Sequence, residues 1–246
     1  MATGTLKKNR QFLTARWVNL VMLNYEIDPE LLRPYVPEGT TLDDWHGRTF
    51  VSIVGFRYLD TRLLRIPIPF HRTFHEVNLR FYVRRPFADG IRRGVVFIKE
   101  IVPRAAVSWV ARTIYHENFV TMPMRYSYED HASGSQSIAY QWKTKQRWNE
   151  VSVDFCGSPI LPDDDSEESF MIEHYWGYSR KPDSTTMEYQ VEHPRWKVCR
   201  ATTSNLDCDI DALYGRDFVA PLSAQPTSAF LVDGSGVVIR MGTPIN

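Results

Sequence analysis

Glu76, Asn78 and Arg80 stand two apart in the stretch Glu76-Val-Asn-Leu-Arg-Phe-Tyr-Val. In an extended strand that spacing puts an acid, an amide and a base on one face. Val77, Leu79, Phe81 and Val83 fall on the other. An acid beside a cation can hold or move a proton at a bound carbonyl or carboxylate group. Lys99 and Glu100 interrupt residues 94–102, which are otherwise nearly all apolar. A lysine in such surroundings, with Arg80 close by, is a candidate amine of lowered pKa, as imine chemistry requires.

These side chains need a hairpin to bring them together. Asp89-Gly90 is a turn dipeptide between the two runs. A two-residue turn there places Arg80 opposite Lys99, and a longer loop places Asn78 opposite Lys99. In both registers residues 76, 78 and 80 share a face with 95, 97, 99 and 101, unless a bulge intervenes. That face then gathers Val95, Phe97 and Ile101 around the polar groups. This favours the interior of a barrel with a polar pocket over a solvated face. The other reading is a half-buried ion pair that only fixes register. Glu76 and Arg80 lie roughly 13 Å apart along the strand, so Lys99 is expected to reach between them.

Further elements follow from pattern. Residues 17–25 and 49–59 read as strands. Asp28 caps a short helix with Pro29 at its first position. Residues 105–116, including Arg112, have helical spacing. Residues 122–128, 137–143 and 149–156 read as a meander. The acidic run 163–168 fits a helix N-terminus capped by Asp165 with Glu168, rather than a metal site. Residues 187–193 and 196–203 read as strands, 209–214 as a helical turn, and 230–241 as a hairpin around Asp233-Gly-Ser-Gly. Residues 1–12 form a flexible arm, and residues 13–246 one domain, mainly β with a few short helices. His71 and His75 share a strand face away from Glu76 and lack the helical zinc order. His193 is a candidate pocket histidine.

The chain has 246 residues and no formal net charge, which argues against nucleic acid as a partner. Cys156, Cys199 and Cys208 are odd in number and without a Cys-x-x-Cys, so free thiols and a cytoplasmic location are expected. The apolar run 17–23 is too short to span a membrane. No nucleotide loop, dinucleotide fingerprint or Gly-x-Ser-x-Gly occurs, so no cofactor or metal is expected. A homo-oligomer stays open.

Several segments carry a resemblance. Leu13-Thr-Ala-Arg-Trp-Val-Asn-Leu, Asp28-Pro-Glu-Leu-Leu-Arg-Pro-Tyr-Val-Pro, Glu76-Val-Asn-Leu-Arg-Phe-Tyr-Val, Gly94-Val-Val-Phe and Glu173-His-Tyr resemble the bacterial YqjF-like family of unknown function. The chain is also distantly similar to acetoacetate decarboxylase. That likeness implies an antiparallel cone-shaped β-barrel with an internal pocket and flanking helices. It aligns Glu76 with one catalytic glutamate, sets Arg16 near the arginine position, and puts Ser52 at or near the second glutamate. The segment expected to present the Schiff-base lysine reads Glu117-Asn-Phe-Val-Thr-Met-Pro-Met, with no lysine. The decarboxylase reaction is therefore not expected. Lys99 is the remaining substitute. The candidate site is thus Glu76 and Lys99 as catalytic groups, with Arg16, Ser52, Asn78, Arg80, Phe97 and His193 binding a small anionic or carbonyl-bearing molecule. Two functions fit: a lyase or hydratase, or a non-catalytic binding or accessory protein.

Overall fold

The computed structural model describes residues 9–67, 72–88, 90–103, 118–132 and 134–245. Asp89 of the expected turn, His71, and the expected helix at 105–116 with Arg112 lie outside them.

Long alternating runs become long strands. β1 (Gln11–Glu26), β3 (Phe50–Leu63), β5 (Phe74–Phe87) and β6 (Gly90–Val102) lie side by side, with β14 (Ser228–Arg240) on the other edge of β1. β11 (Trp176–Arg180) pairs in parallel with β6, and β12 (Thr186–Glu192) pairs with β11. The ring closes where Val191 and Glu192 of β12 meet Ile239 and Val238 of β14. Closure needs a tight seam at Gly94, where a Cβ would sit 2.7 Å from the Trp176 carbonyl oxygen and 2.6 Å from the Tyr178 ring.

β14 continues through β13 (Val198–Asp207) to β10 (Trp148–Phe155), β9 (Gln136–Lys143) and β8 (Met124–Asp130). This second sheet folds over the outside of the ring. Ile138, Tyr140, Trp142, Val151 and Val153 pack with Val51, Ile53, Val77, Leu79 and Phe81. The apolar face of β5 is thus buried between sheets, with Leu79 and Phe81 fully inaccessible. Burial of each such side chain contributes about 2 kcal/mol. Short strands β2 (Thr41–Leu42), β4 (Ile66–Pro67), β7 (Phe119–Thr121) and β15 (Thr243–Ile245) extend the edges.

The helices are short. α1 (Pro29–Leu32) starts at Asp28, whose carboxylate accepts from the Glu30 amide at 2.9 Å. α2 (Glu167–Ile172) is capped by Ser166, which accepts from the Ser169 amide, rather than by Asp165. Its Phe170, Met171 and Ile172 plug one end of the ring. α3 (Ile210–Tyr214) and α4 (Val219–Ser223) cover part of the outer face. Among the described residues no helix is long and apolar enough to cross a membrane.

Two expectations change. Residues 11 and 12 of the supposed arm belong to β1, and Phe12 is buried. The supposed C-terminal hairpin is one continuous strand, β14. Its Gly234 adopts φ +78° opposite Val18, and the chain bends there without reversing.

Candidate active site

Backbone irregularities decide which side chains enter the ring. In β1, a register shift spans Val18 to Val21, with Asn19 at φ +55°. Before it Leu13 and Trp17 point inward, and after it Leu20 and Met22 do. In β3, Asp60 at φ +53° does the same, so Phe56 and Tyr58 share the interior with Thr61 and Leu63. In β6, Arg80 pairs with Phe97 but Leu79 pairs with Lys99, leaving Ile98 as the extra residue of a bulge. The Ile98 carbonyl accepts from the Asn118 side chain at 2.9 Å.

The β6 bulge moves Lys99 out of the site. Lys99 lies on the outer face, where it donates to the Leu213 carbonyl and approaches the Tyr214 ring. Burial lowers its pKa there, against a smaller opposing effect of Cys208. Glu100, not Lys99, stands opposite Asn78 and faces inward, 2% exposed. Arg16 is also displaced: it is exposed on the outside of β1, because Leu13 and Trp17 take the inward positions there. Ser52 is inside the ring but does not reach the cavity. It donates to Asn24 Oδ1, shares a 2.6 Å hydrogen bond with Tyr82, and lies under Met171.

The other candidates come together around a cavity of about 190 Å³. Glu76, Asn78 and Arg80 form one wall, with Phe97 and Glu100 beside them and His174 and His193 opening onto the same space. Glu76 is 2% exposed and accepts from Asn78 Nδ2 at 2.9 Å. Burial pushes its carboxyl up to about 7, while hydrogen bonds from Asn78 and Tyr58 and the charge of Arg80 pull the other way. Arg80 donates to the Met171 carbonyl at 3.3 Å through one terminal nitrogen. Arg80 Nε and Asn78 Oδ1 are buried without a hydrogen-bond partner among the described residues.

His174 follows α2 and was missed from sequence except as part of the Glu173-His-Tyr motif. Burial holds it down to about 4, with the nearby Asp43 carboxylate opposing. Its Nε2 lies 3.6 Å from Asp43 Oδ2. Burial of Asp43 would raise its pKa, but nearby His174 and the hydrogen bond and charge of Arg93 hold it at about 2. His193 is stacked between Trp196, at 3.8 Å, and Tyr175, at 4.6 Å. Burial lowers its pKa too.

The remaining wall is apolar and largely aromatic. Trp17 meets Phe56 and Tyr58 edge-on at 5.0 and 5.6 Å, and Tyr58 stacks on Phe74 at 4.4 Å.

A family model for an uncharacterized conserved protein, DUF2071, matches residues 14–235. The chain belongs to this family. Another relative, the uncharacterized protein YqjF of Bacillus subtilis (strain 168), is 27% identical over 192 residues, 75% of this chain and 74% of its own. Among solved structures, acetoacetate decarboxylase of Legionella pneumophila aligns with a TM-score of 0.67 at 13% identity, over 100% of this chain and 92% of its own. The enduracididine biosynthesis enzyme MppR, complexed with pyruvate, gives 0.67 at 14% identity, over 99% and 93%. An acetoacetate decarboxylase-like enzyme of Sphingomonas wittichii gives 0.66 at 10%, over 100% and 97%. These likenesses show that this DUF2071 member has the acetoacetate-decarboxylase-like fold. Glu76 and Arg80 stand on a central strand of it.

The two buried titrations have opposite signs. His174 titrates lower in the folded state than its ordinary 6.5, so its contribution is full above 6.5 and is lost as pH falls toward 4. Glu76 titrates higher than its ordinary 4.5, so its cost is full above about 7 and is relieved as pH falls toward 4.5. Glu76→Gln is therefore expected to stabilise the protein at pH 8 by about 1–3 kcal/mol. It should also make stability fall more steeply between pH 7 and 4.5. Urea midpoints across that range test both. Equal midpoints at pH 8 would mean that Glu76 carries no such cost.

Proposed function

We propose that the cavity binds a small carbonyl or carboxylate compound and that Glu76 moves a proton on it, a lyase- or hydratase-type step that needs no imine. One observation carries the reading: a buried carboxyl, Glu76, lines a cavity whose wall it shares with Arg80. The carboxylate form of Glu76 would take a proton from the carbon next to a carbonyl. Arg80 would hold the oxygen on which negative charge then develops. A buried carboxyl without a full ion pair costs stability, and such costs concentrate at functional sites. The pyruvate held by MppR, on the same fold, adds support for a carbonyl ligand. No lysine lines the cavity among the described residues, which speaks against Schiff-base chemistry. A second reading, a non-catalytic binding or accessory protein, draws on the aromatic lining.

A panel of short ketones and keto acids, followed by ligand-observed NMR, tests the reading. Arg80→Met should weaken binding roughly 10- to 100-fold, the range for a hydrogen bond to a charged group. Lys99→Met should leave it unchanged, and borohydride should trap no adduct on Lys99. A borohydride adduct on Lys99, or full affinity in Arg80→Met, would overturn it.

A further inference from the structure

Hydrogen-bonding demand on the cavity wall says what the ligand must bring. Asn78 and His174 line the cavity together with Arg80. Asn78 is buried, and its Nδ2 is already engaged with Glu76 Oε1 at 2.9 Å. That bond orients the amide and leaves Oδ1 as an acceptor. Oδ1 is buried without a hydrogen-bond partner among the described residues.

His174 is held by its neighbours. Its ring packs on Tyr82 at 4.6 Å and edge-on against Phe170 at 5.5 Å. Asp43 Oδ2 lies 3.6 Å from its Nε2, and Arg93 donates to that same oxygen at 2.7 Å. Asp43 is therefore a carboxylate at neutral pH, while burial keeps His174 neutral there. An anionic oxygen on the Nε2 side favours the tautomer with the ring hydrogen on Nε2. Nδ1 is then a bare acceptor, and it too is buried without a partner among the described residues. Arg80 belongs to the same corner. It donates to the carbonyl of Met171, in the helix that leads to His174, and its guanidinium lies 5.7 Å from the Tyr82 ring on which His174 packs.

Donors without a partner also line the cavity: Arg80 Nε and, farther along, Trp17 Nε1 and the Thr61 hydroxyl. A carbonyl or carboxylate oxygen serves such donors. A plain ketone or a plain carboxylate has no hydrogen to give to Asn78 Oδ1 or His174 Nδ1. Buried acceptors left unmet are costly, so a wall that carries them selects the ligand that brings the missing hydrogen.

From this arrangement we infer that the ligand is a hydroxycarbonyl compound, a hydroxyketone or a hydroxy acid. Its carbonyl or carboxylate oxygen sits at Arg80, and a hydroxyl one or two carbons away donates its hydrogen to the acceptors at Asn78 and His174. The inference rests on the proposed site and narrows its substrate class.

Calorimetric titration of the full chain at pH 7.5 with two matched sets tests it. One set is butan-2-one, 3-hydroxybutan-2-one, 4-hydroxybutan-2-one and the methyl ethers of the two alcohols. The other is butanoate, 2-hydroxybutanoate, 3-hydroxybutanoate and their methyl ethers. In at least one set a hydroxyl compound should bind roughly 5- to 100-fold more tightly than its parent, the range for meeting a buried acceptor. Its methyl ether, which keeps the oxygen but has no hydrogen to give, should bind no better than the parent. The set that shows the gain tells a ketone from a carboxylate head. His174→Phe or Asn78→Leu should erase the gain, with near-UV circular dichroism checking that each variant keeps its packing. The ligand series needs no variant and decides by itself where neither folds. Hydroxyl compounds no tighter than their parents in both sets, or a gain that survives in both folded variants, would overturn the inference and leave the carbonyl reading standing. Butan-2-ol as tight as the hydroxyketones would overturn the carbonyl reading instead.

Discussion

Glu76→Gln is expected to slow the exchange of α-protons of a bound methyl ketone for deuterium by roughly 10²- to 10⁴-fold, the range that a positioned general base supplies. Glutamine keeps the volume and the oxygen that accepts from Asn78 Nδ2. It cannot take a proton at neutral pH. The wild-type rate should rise with pH through about 7, because burial raises the Glu76 carboxyl to about that value and only the ionised form acts as base. The variant should lack that rise. NMR loss of the α-proton signal in D₂O measures both. Wild-type exchange no faster than buffer would favour the non-catalytic reading, and equal rates in the two proteins would remove Glu76 from the chemistry. Lys99→Met is the matched control, since Lys99 lies on the outer face of the ring.

The second large effect is structural. Gly234→Ala is expected to destabilise the protein by more than about 3 kcal/mol. Gly234 holds φ +78°, and a Cβ there would stand 2.1 Å from the Trp17 carbonyl oxygen and 2.9 Å from Leu20 Cδ1. The left-handed conformation alone costs an alanine about 1–2 kcal/mol. The clash is with backbone, so no rotamer change relieves it. β1 and β14 would have to separate at the register shift that turns Trp17 into the cavity. Gly236→Ala, with nothing within 4 Å of its Cβ, should change stability by under about 1 kcal/mol. Urea midpoints of the pair decide the matter, and similar values would mean that β14 yields more easily than its packing suggests. Ketone binding by Gly234→Ala, where it still folds, should also weaken, because Trp17 forms part of the wall.

Alternation along 74–83 was enough to place Glu76, Asn78 and Arg80 on one face and an apolar row on the other, since side chains in a strand repeat every two residues. Val95 and Phe97 line the cavity as the reading of that face as interior expects, whereas Ile101, expected beside them, pairs with Val77 beyond the bulge and packs between the sheets. Local chemistry also located the short helices: Asp28 with Pro29, and Asp209, whose carboxylate accepts from the Ala212 amide. The resemblance carried the fold, through segments spread over most of the chain.

Strand irregularities were not legible. A single bulged residue inverts everything beyond it, and nothing in Phe97-Ile-Lys-Glu marks Ile98 as the extra residue. It is held by Asn118, twenty positions away. That one bulge exchanged Lys99 for Glu100 in the cavity. The irregularities at Asn19 and Asp60 likewise decided that Trp17 and Thr61 face inward and that Arg16 does not. Asp43 and His174 lie far apart in sequence and meet only because α2 leads His174 back under the ring. Alternation within the unbroken strand of residues 74–83 settles from sequence that Glu76, Asn78 and Arg80 share one face and that this face is polar. The tertiary structure decided which face of each strand is inside, because that depends on long-range register, fixed by contacts no local pattern contains. It thereby made Glu76, Asn78, Arg80 and Glu100, without Lys99, the polar wall of the cavity.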